Sequence, residues 1–155
     1  MKQSSERGFT LVELLITVTI IAVISVIAVP AYKEQADRGR RAEGKAYLLD
    51  LASRQERFYT QYSSYTGTVA ATSGCVGSVC GLGMEDGYSG DDHFSGAVTV
   101  LPSGCTPTGT LCVSYTLSAT ALITDSKCGA LTYDSTGKKG VSGVSDQASI
   151  DYCWR

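Results

Sequence analysis

The chain is short of the residues that chemistry at a site most often needs. It holds one histidine among 155 residues, and none of its six cysteines forms a C-x-x-C pair, which argues against a zinc centre. No nucleophile motif, phosphate-binding glycine loop or ligand cluster with metal spacing is present, so an enzyme is not expected and no cofactor is implied. Charge is also scarce, at 18% of residues, and between Leu14 and Val29 it is absent altogether. What fills that gap is an apolar run from Phe9 to Pro30, broken only by Glu13 and a few hydroxyls. About 20 such residues at ~1.5 Å each match a hydrocarbon core of ~30 Å, so the run reads as a membrane-spanning helix. A lone carboxylate inside such a span costs roughly 2.5–3.5 kcal/mol, so something must offset Glu13.

An N-terminal apolar run is ordinarily a secretory signal peptide. Here the run is longer than such a segment, carries an acid, and ends at Pro30-Ala31-Tyr32, a poor small-x-small cleavage site. The charged prefix stops at Gly8, directly before the apolar residues. Cleavage between Gly8 and Phe9 would leave the helix on the mature protein and place a free amine a few residues from Glu13.

The stretch Gly8-Phe9-Thr10-Leu11-Val12-Glu13 followed by an apolar helix resembles the class III signal of the type IV pilins, also called N-methylphenylalanine pilins. The resemblance implies that a prepilin peptidase cuts between Gly8 and Phe9 and methylates Phe9. It implies that Glu13 pairs with the N-terminal amine of a neighbouring subunit. Physics supports that pairing: an ammonium beside a carboxylate in lipid turns a cost into a directional contact and sets register. Lys2 and Arg7 agree with a cytoplasmic prefix. The implied course is a single-pass inner-membrane precursor with a periplasmic head, then an extracellular pilus. The implied partners are other pilin subunits, the prepilin peptidase, the assembly platform of the inner membrane, and the membrane itself before assembly. Twitching motility, adhesion and DNA uptake are the implied roles. The residues Arg40-Arg41-Ala42-Glu43, Leu48 to Ala52, Arg54 to Tyr59 and Tyr65-Thr66 further resemble PilE-like minor pilins, which implies a minor subunit.

The remaining chain is long enough for one domain with a sizeable core. The expected layout is a leader at 1–8, a membrane and filament-core helix at 9–30, an amphipathic helix at 31–62 and a β-sheet head at 63–155. Pro30 removes a helix hydrogen bond and should kink the helix there; the resemblance implies that Ser25–Pro30 can lose regular structure in a filament. Beyond it, Leu48, Leu51, Gln55, Phe58 and Tyr62 fall at helical spacing, with Ala42, Ala46, Leu49, Ala52 and Tyr59 widening the face toward a sheet. Arg40, Arg41, Glu43, Arg54 and Arg57 are expected to project outward, the Arg38, Arg40 and Arg41 cluster toward phospholipid or the acidic heads of neighbours. Gly39 and Gly44 each weaken the helix by ~1 kcal/mol against Ala.

Residues 60–96 are rich in Ser, Thr, Gly and Tyr and read as a long loop. Its Glu85-Asp86 and Asp91-Asp92 pairs could offer oxygens to calcium, but their spacing is not that of an EF-hand, so no metal is expected; His93 reads as a surface loop residue. Ala97–Leu101 reads as a strand. Val113, Tyr115, Leu117, Ala119 and Ala121 alternate with hydroxyls and give the clearest half-buried strand. Gly129–Tyr133 follows as another, and Asp134 to Gly137 as a turn. The fold class is thus α+β: a long N-terminal helix, apolar in its first half, packed on a C-terminal antiparallel sheet.

Six cysteines suggest an oxidising compartment and permit 15 pairings. Cys75 and Cys80 can close a small loop, and Cys105 and Cys112 flank the connection before the clearest strand and can staple it. The pilin resemblance implies a Cys128–Cys153 bond bounding the C-terminal region. From Phe58 to Arg155 there are four basic residues against eight acids, a balance that disfavours nucleic acid. A DNA-binding pilin for natural transformation nevertheless remains one alternative, with Lys127, Lys138 and Lys139 able to reach phosphates. A type II secretion pseudopilin, sharing the N-terminal motif, is the other.

Overall fold

The computed structural model describes residues 9–70, 75–76, 79–125 and 127–155. Contacts divide the chain into two units, one ending at Arg38 and the other running from Gly39 to Arg155. One helix, α1 (Leu11–Tyr62), supplies most of the first unit and the opening of the second.

Within the first unit α1 has no core of its own. Its apolar side chains stand bare, Val26 being 76% exposed, and the segment is long and apolar enough to cross a membrane. The hydroxyls in this run are satisfied within the helix. Thr17 donates to the Leu14 carbonyl, Thr19 to Leu15 and Ser25 to Ile21, each at 2.7–2.8 Å. That arrangement suits a hydrocarbon surrounding, where no water would take their place. Pro30 lies inside α1 without ending it.

In the second unit α1 buries Arg41, Gly44, Leu48, Leu51, Gln55 and Phe58, a run of alternating three- and four-residue steps along one face. Tyr47 and Ala52 lie beside it. Ala42, Ala46, Leu49 and Tyr59, expected to widen this face, are exposed instead, because they sit to the side of that line. The opposing layer is a four-stranded antiparallel meander in sequence order: β3 (Phe94–Leu101), β4 (Ser114–Ala121), β5 (Leu131–Asp134) and β6 (Lys139–Val141). Before it, β1 (Cys75–Val76) and β2 (Val79–Cys80) form a small separate ribbon. The inward residues of β4 are Tyr115, Leu117 and Ala119; Leu131, Val141 and Phe94 join them in one core with the helix face. Val113 falls outside β4 and is 70% exposed.

Two glycines allow helix and sheet to approach. A Cβ on Gly44 would lie 2.8 Å from a Phe94 ring carbon, and one on Gly96 would lie 2.3 Å from the Tyr47 hydroxyl. Gly44 is therefore a packing contact rather than only a weak point of the helix. The chain ends with α2 (Gln147–Trp154), which the sequence reading did not separate from its tail. Asp146 caps α2 by accepting the Ser149 amide at 2.9 Å, and Ile150 and Cys153 face the core. Bonds join Cys75 to Cys80, Cys105 to Cys112 and Cys128 to Cys153.

Candidate functional site

Two places in the chain carry the residues singled out above. The first is the start of α1. Phe9 is 83% exposed and lies two residues before the first residue of the helix. The Thr10 hydroxyl accepts the Glu13 amide at 3.2 Å, closing the first turn, and the exposed Glu13 carboxylate sits at the positive end of the helix. Gly8 lies outside the described residues.

The second place is the rim of α2. Ile150 and Cys153 point inward, so Tyr152 and Trp154 fall on opposite flanks of the helix. Each ring carries a lysine. Lys127 Nζ lies 5.6 Å from the Tyr152 ring centre and donates to the Tyr152 hydroxyl at 3.2 Å. Lys139 Nζ lies 5.3 Å from the Trp154 ring centre. The Trp154 indole is itself fixed, donating to the Gly140 carbonyl of β6 at 2.8 Å. Past the end of α2, Lys45 donates to the Arg155 carbonyl at 2.6 Å. These cations surround the negative end of the helix dipole, which favours their gathering there. They also repel one another. The Lys45 ammonium is held below the usual lysine range first by burial and then by the positive charges of Arg41 and Lys139.

Lys138 occupies the neighbouring ground. It is exposed beside an open groove of about 440 Å³ that also takes in Lys139, Thr132, Asp134 and Gln147. The Asp134 carboxylate accepts the Lys138 amide together with the amide and hydroxyl of Thr136, so it orders the turn that carries Lys138. Burial pushes this carboxyl up, but those hydrogen bonds outweigh it and hold it below the usual carboxylate range.

Arg41 corrects the sequence reading. Its side chain is only 5% exposed rather than turned outward. Its guanidinium forks onto Asp125, with Nε donating to Oδ2 at 2.6 Å and Nη2 to Oδ1 at 3.1 Å. Burial pushes the Asp125 carboxyl up, but the Arg41 fork and the amides of Lys127 and Cys128 prevail and hold it low. Glu43 is also drawn inward. It accepts from the Ser89 hydroxyl and the Asp91 amide and meets His93 Nδ1 at 2.6 Å. His93 is thus half-buried against α1 rather than free on a surface loop. Glu43, Asp91 and His93 place potential ligand atoms within 4.8 Å of one another. Both Glu43 oxygens already have hydrogen-bond partners, so the trio serves as a clip between α1 and the loop before β3. Glu85, Asp86 and Asp92 are not part of it.

The chemistry at α2 is that of anion recognition: ammonium groups beside aromatic rings, on a scaffold tied by Cys128–Cys153. The sequence reading named Lys127, Lys138 and Lys139. It missed Lys45, Tyr152 and Trp154 as members. The alternation Tyr152-Cys153-Trp154-Arg155 was the available signal.

Residues 30–132 match the family model described as "Type IV minor pilin ComP, DNA uptake sequence receptor", and residues 3–29 match the prokaryotic N-terminal methylation motif. The type IV major pilin protein PilA of Myxococcus xanthus is 37% identical over 60 residues, which are 39% of this chain and 27% of that protein. The fimbrial protein EcpC of Eikenella corrodens is 32% identical over 77 residues, 50% of this chain and 48% of that one. The wide-pilus component PilA4 of Thermus thermophilus is 37% identical over 65 residues, 42% and 50% of the two chains. The chain thus spans half or less of each of these relatives. A solved type IV pilin from Shewanella oneidensis aligns over 70% of this chain and 94% of its own, with 20% identity and a TM-score of 0.43.

Proposed function

Since the chain belongs to the type IV pilin family whose model describes a minor pilin and DNA uptake sequence receptor, we propose that this structural subunit is a minor pilin whose head binds duplex DNA. It is a pilus subunit and not an enzyme. The observation that carries the DNA reading is the set of lysines over the α2 rings: Lys127 on Tyr152, Lys139 on Trp154, with Lys45 beyond the helix end. The head as a whole has eight acids against four bases from Phe58 onward. All four bases, however, lie between Lys127 and Arg155, where only three of the eight acids fall (Asp134, Asp146 and Asp151), so the acidic excess lies elsewhere on the head. Duplex bound there would be oriented as well as held, because the acids elsewhere repel it. Phe9 and Glu13 supply the polymer contact, with the methylated amine of one subunit meeting the carboxylate of another. Cleavage by the prepilin peptidase between Gly8 and Phe9 frees that amine, and the inner-membrane assembly platform then moves the subunit from its membrane-anchored state into the extracellular pilus. Twitching motility and adhesion would follow from membership of that filament.

The test is duplex binding by the full mature chain in detergent across a salt series. With three or four lysines on phosphates, the logarithm of affinity should fall with that of salt at a slope of about −3. Lys127→Gln and Lys139→Gln should each lower affinity and flatten the slope by about one. No binding at low salt would overturn the receptor role and leave a subunit of the filament body.

A further inference from the structure

Arg41 stands beneath the proposed DNA surface without reaching it. Its residue exposure is 4%, and both arms of its fork are engaged by Asp125. Two things hang from it. Asp125 Oδ1 also accepts the Lys127 amide at 2.9 Å and the Cys128 amide at 3.2 Å, so the carboxylate that Arg41 grips anchors the backbone of the lysine. The guanidinium carbon lies 5.0 Å from the centre of the Tyr152 ring, whose hydroxyl accepts from the Lys127 ammonium. Arg41 therefore bears on Lys127 at both ends, through its main chain and through the tyrosine whose hydroxyl accepts from its ammonium.

We propose that Arg41 is a positioning residue for DNA binding, holding Lys127 in register with phosphate through Asp125 and Tyr152. This rests on the receptor reading above. At 4% exposure Arg41 does not reach a phosphate at the surface, so its effect must pass through Lys127. Lysine at this position would keep the charge but lose the planar fork.

The experiment measures duplex affinity over a salt series for the full mature chain and for Lys127→Gln, Arg41→Gln, Arg41→Lys and the Lys127→Gln/Arg41→Gln pair. Arg41→Gln should weaken binding to the same extent as Lys127→Gln and reduce the salt slope by about one, and the double variant should be no worse than Lys127→Gln alone. Arg41→Lys should not restore the slope. Arg41→Gln leaves the half-buried Asp125 without its counter-ion and lowers stability, so Arg41→Met/Asp125→Leu, which removes both charges, is measured beside it. That variant should stay folded and still lose the Lys127 share. A merely structural role would move the melting temperature but not produce the non-additivity with Lys127. Additive losses, with two units of slope gone in the double variant, would overturn the proposal, as would unchanged affinity in Arg41→Gln. Absence of binding by the parent chain would instead overturn the receptor reading, and this inference with it.

Discussion

Gln55 shows how much one side chain can decide. It is fully buried in the middle of the helix face, between Leu51 and Phe58. Its amide reproduces a strand pairing: Nε2 donates to the Thr66 carbonyl at 2.6 Å, and Oε1 accepts the Thr66 amide at 3.2 Å. The loop after α1 is thereby pinned to the helix that it leaves. Leucine has a similar size but no polar atoms, so Gln55→Leu would leave two buried backbone groups unpaired at about 1–3 kcal/mol each. Thermal unfolding of that variant should show a melting point several degrees lower, and a change under one degree would mean that the loop finds other partners. The burial of Gln55 was legible from its place in the apolar stripe, but its partner was not. The same holds for Arg41. It lies seven residues before Leu48 on that stripe, yet a charge at an apolar position is ordinarily read as turned outward. Its counter-ion Asp125 is 84 positions away, and no local pattern connects the two.

Among elements, α1 and β4 were plain in the sequence because each repeats its period over enough residues to stand out. β6 and α2 were not. β6 has three residues, and α2 has eight with only Ile150 and Cys153 buried, too few turns for a period to emerge. α2 is held by the bond from Cys153 to Cys128, 25 residues earlier, by the Trp154 indole on the Gly140 carbonyl and by buried Ile150, while Asp146 caps its start. In the chain-entropy estimate, closing a loop of this size contributes roughly 3–4 kcal/mol. Replacing Cys128 and Cys153 by serine should therefore lower stability by about that amount and release α2 with Tyr152 and Trp154. Duplex affinity should fall further than in any single lysine variant, since both ring platforms would be lost together. A Cys128→Ser/Cys153→Ser chain that melts lower but binds duplex as tightly as its parent would dissociate the α2 rim from DNA recognition. Reductant alone is the poorer test, because it also opens Cys75–Cys80 and Cys105–Cys112.

At the scale of the molecule the two units treat their apolar residues differently. The head closes its own core, whereas the first unit buries nothing in its most apolar window. Such a surface is satisfied by lipid or by other copies of the same helix, and lipid alone leaves Glu13 uncompensated. Packing between copies satisfies both, provided a positive group arrives at the depth of the acid. Phe9 is exposed ahead of α1, and under the proposed cleavage after Gly8 it would carry the amine that a neighbour brings. Removing the carboxylate separates the two environments. Glu13→Ala should still insert, since it is more apolar than the parent, and should still be cut after Gly8, since the prefix is untouched. In the membrane fraction it should be at least as abundant as the parent. In filaments sheared from cells, the same immunoblot should find it depleted at least tenfold, because a copy that joins without the acid leaves the next amine buried in the helix bundle unpaired. Parent-level amounts in the sheared fraction would mean that apolar packing alone sets register, and the acid–amine contact would have to be given up even with the head's DNA chemistry intact.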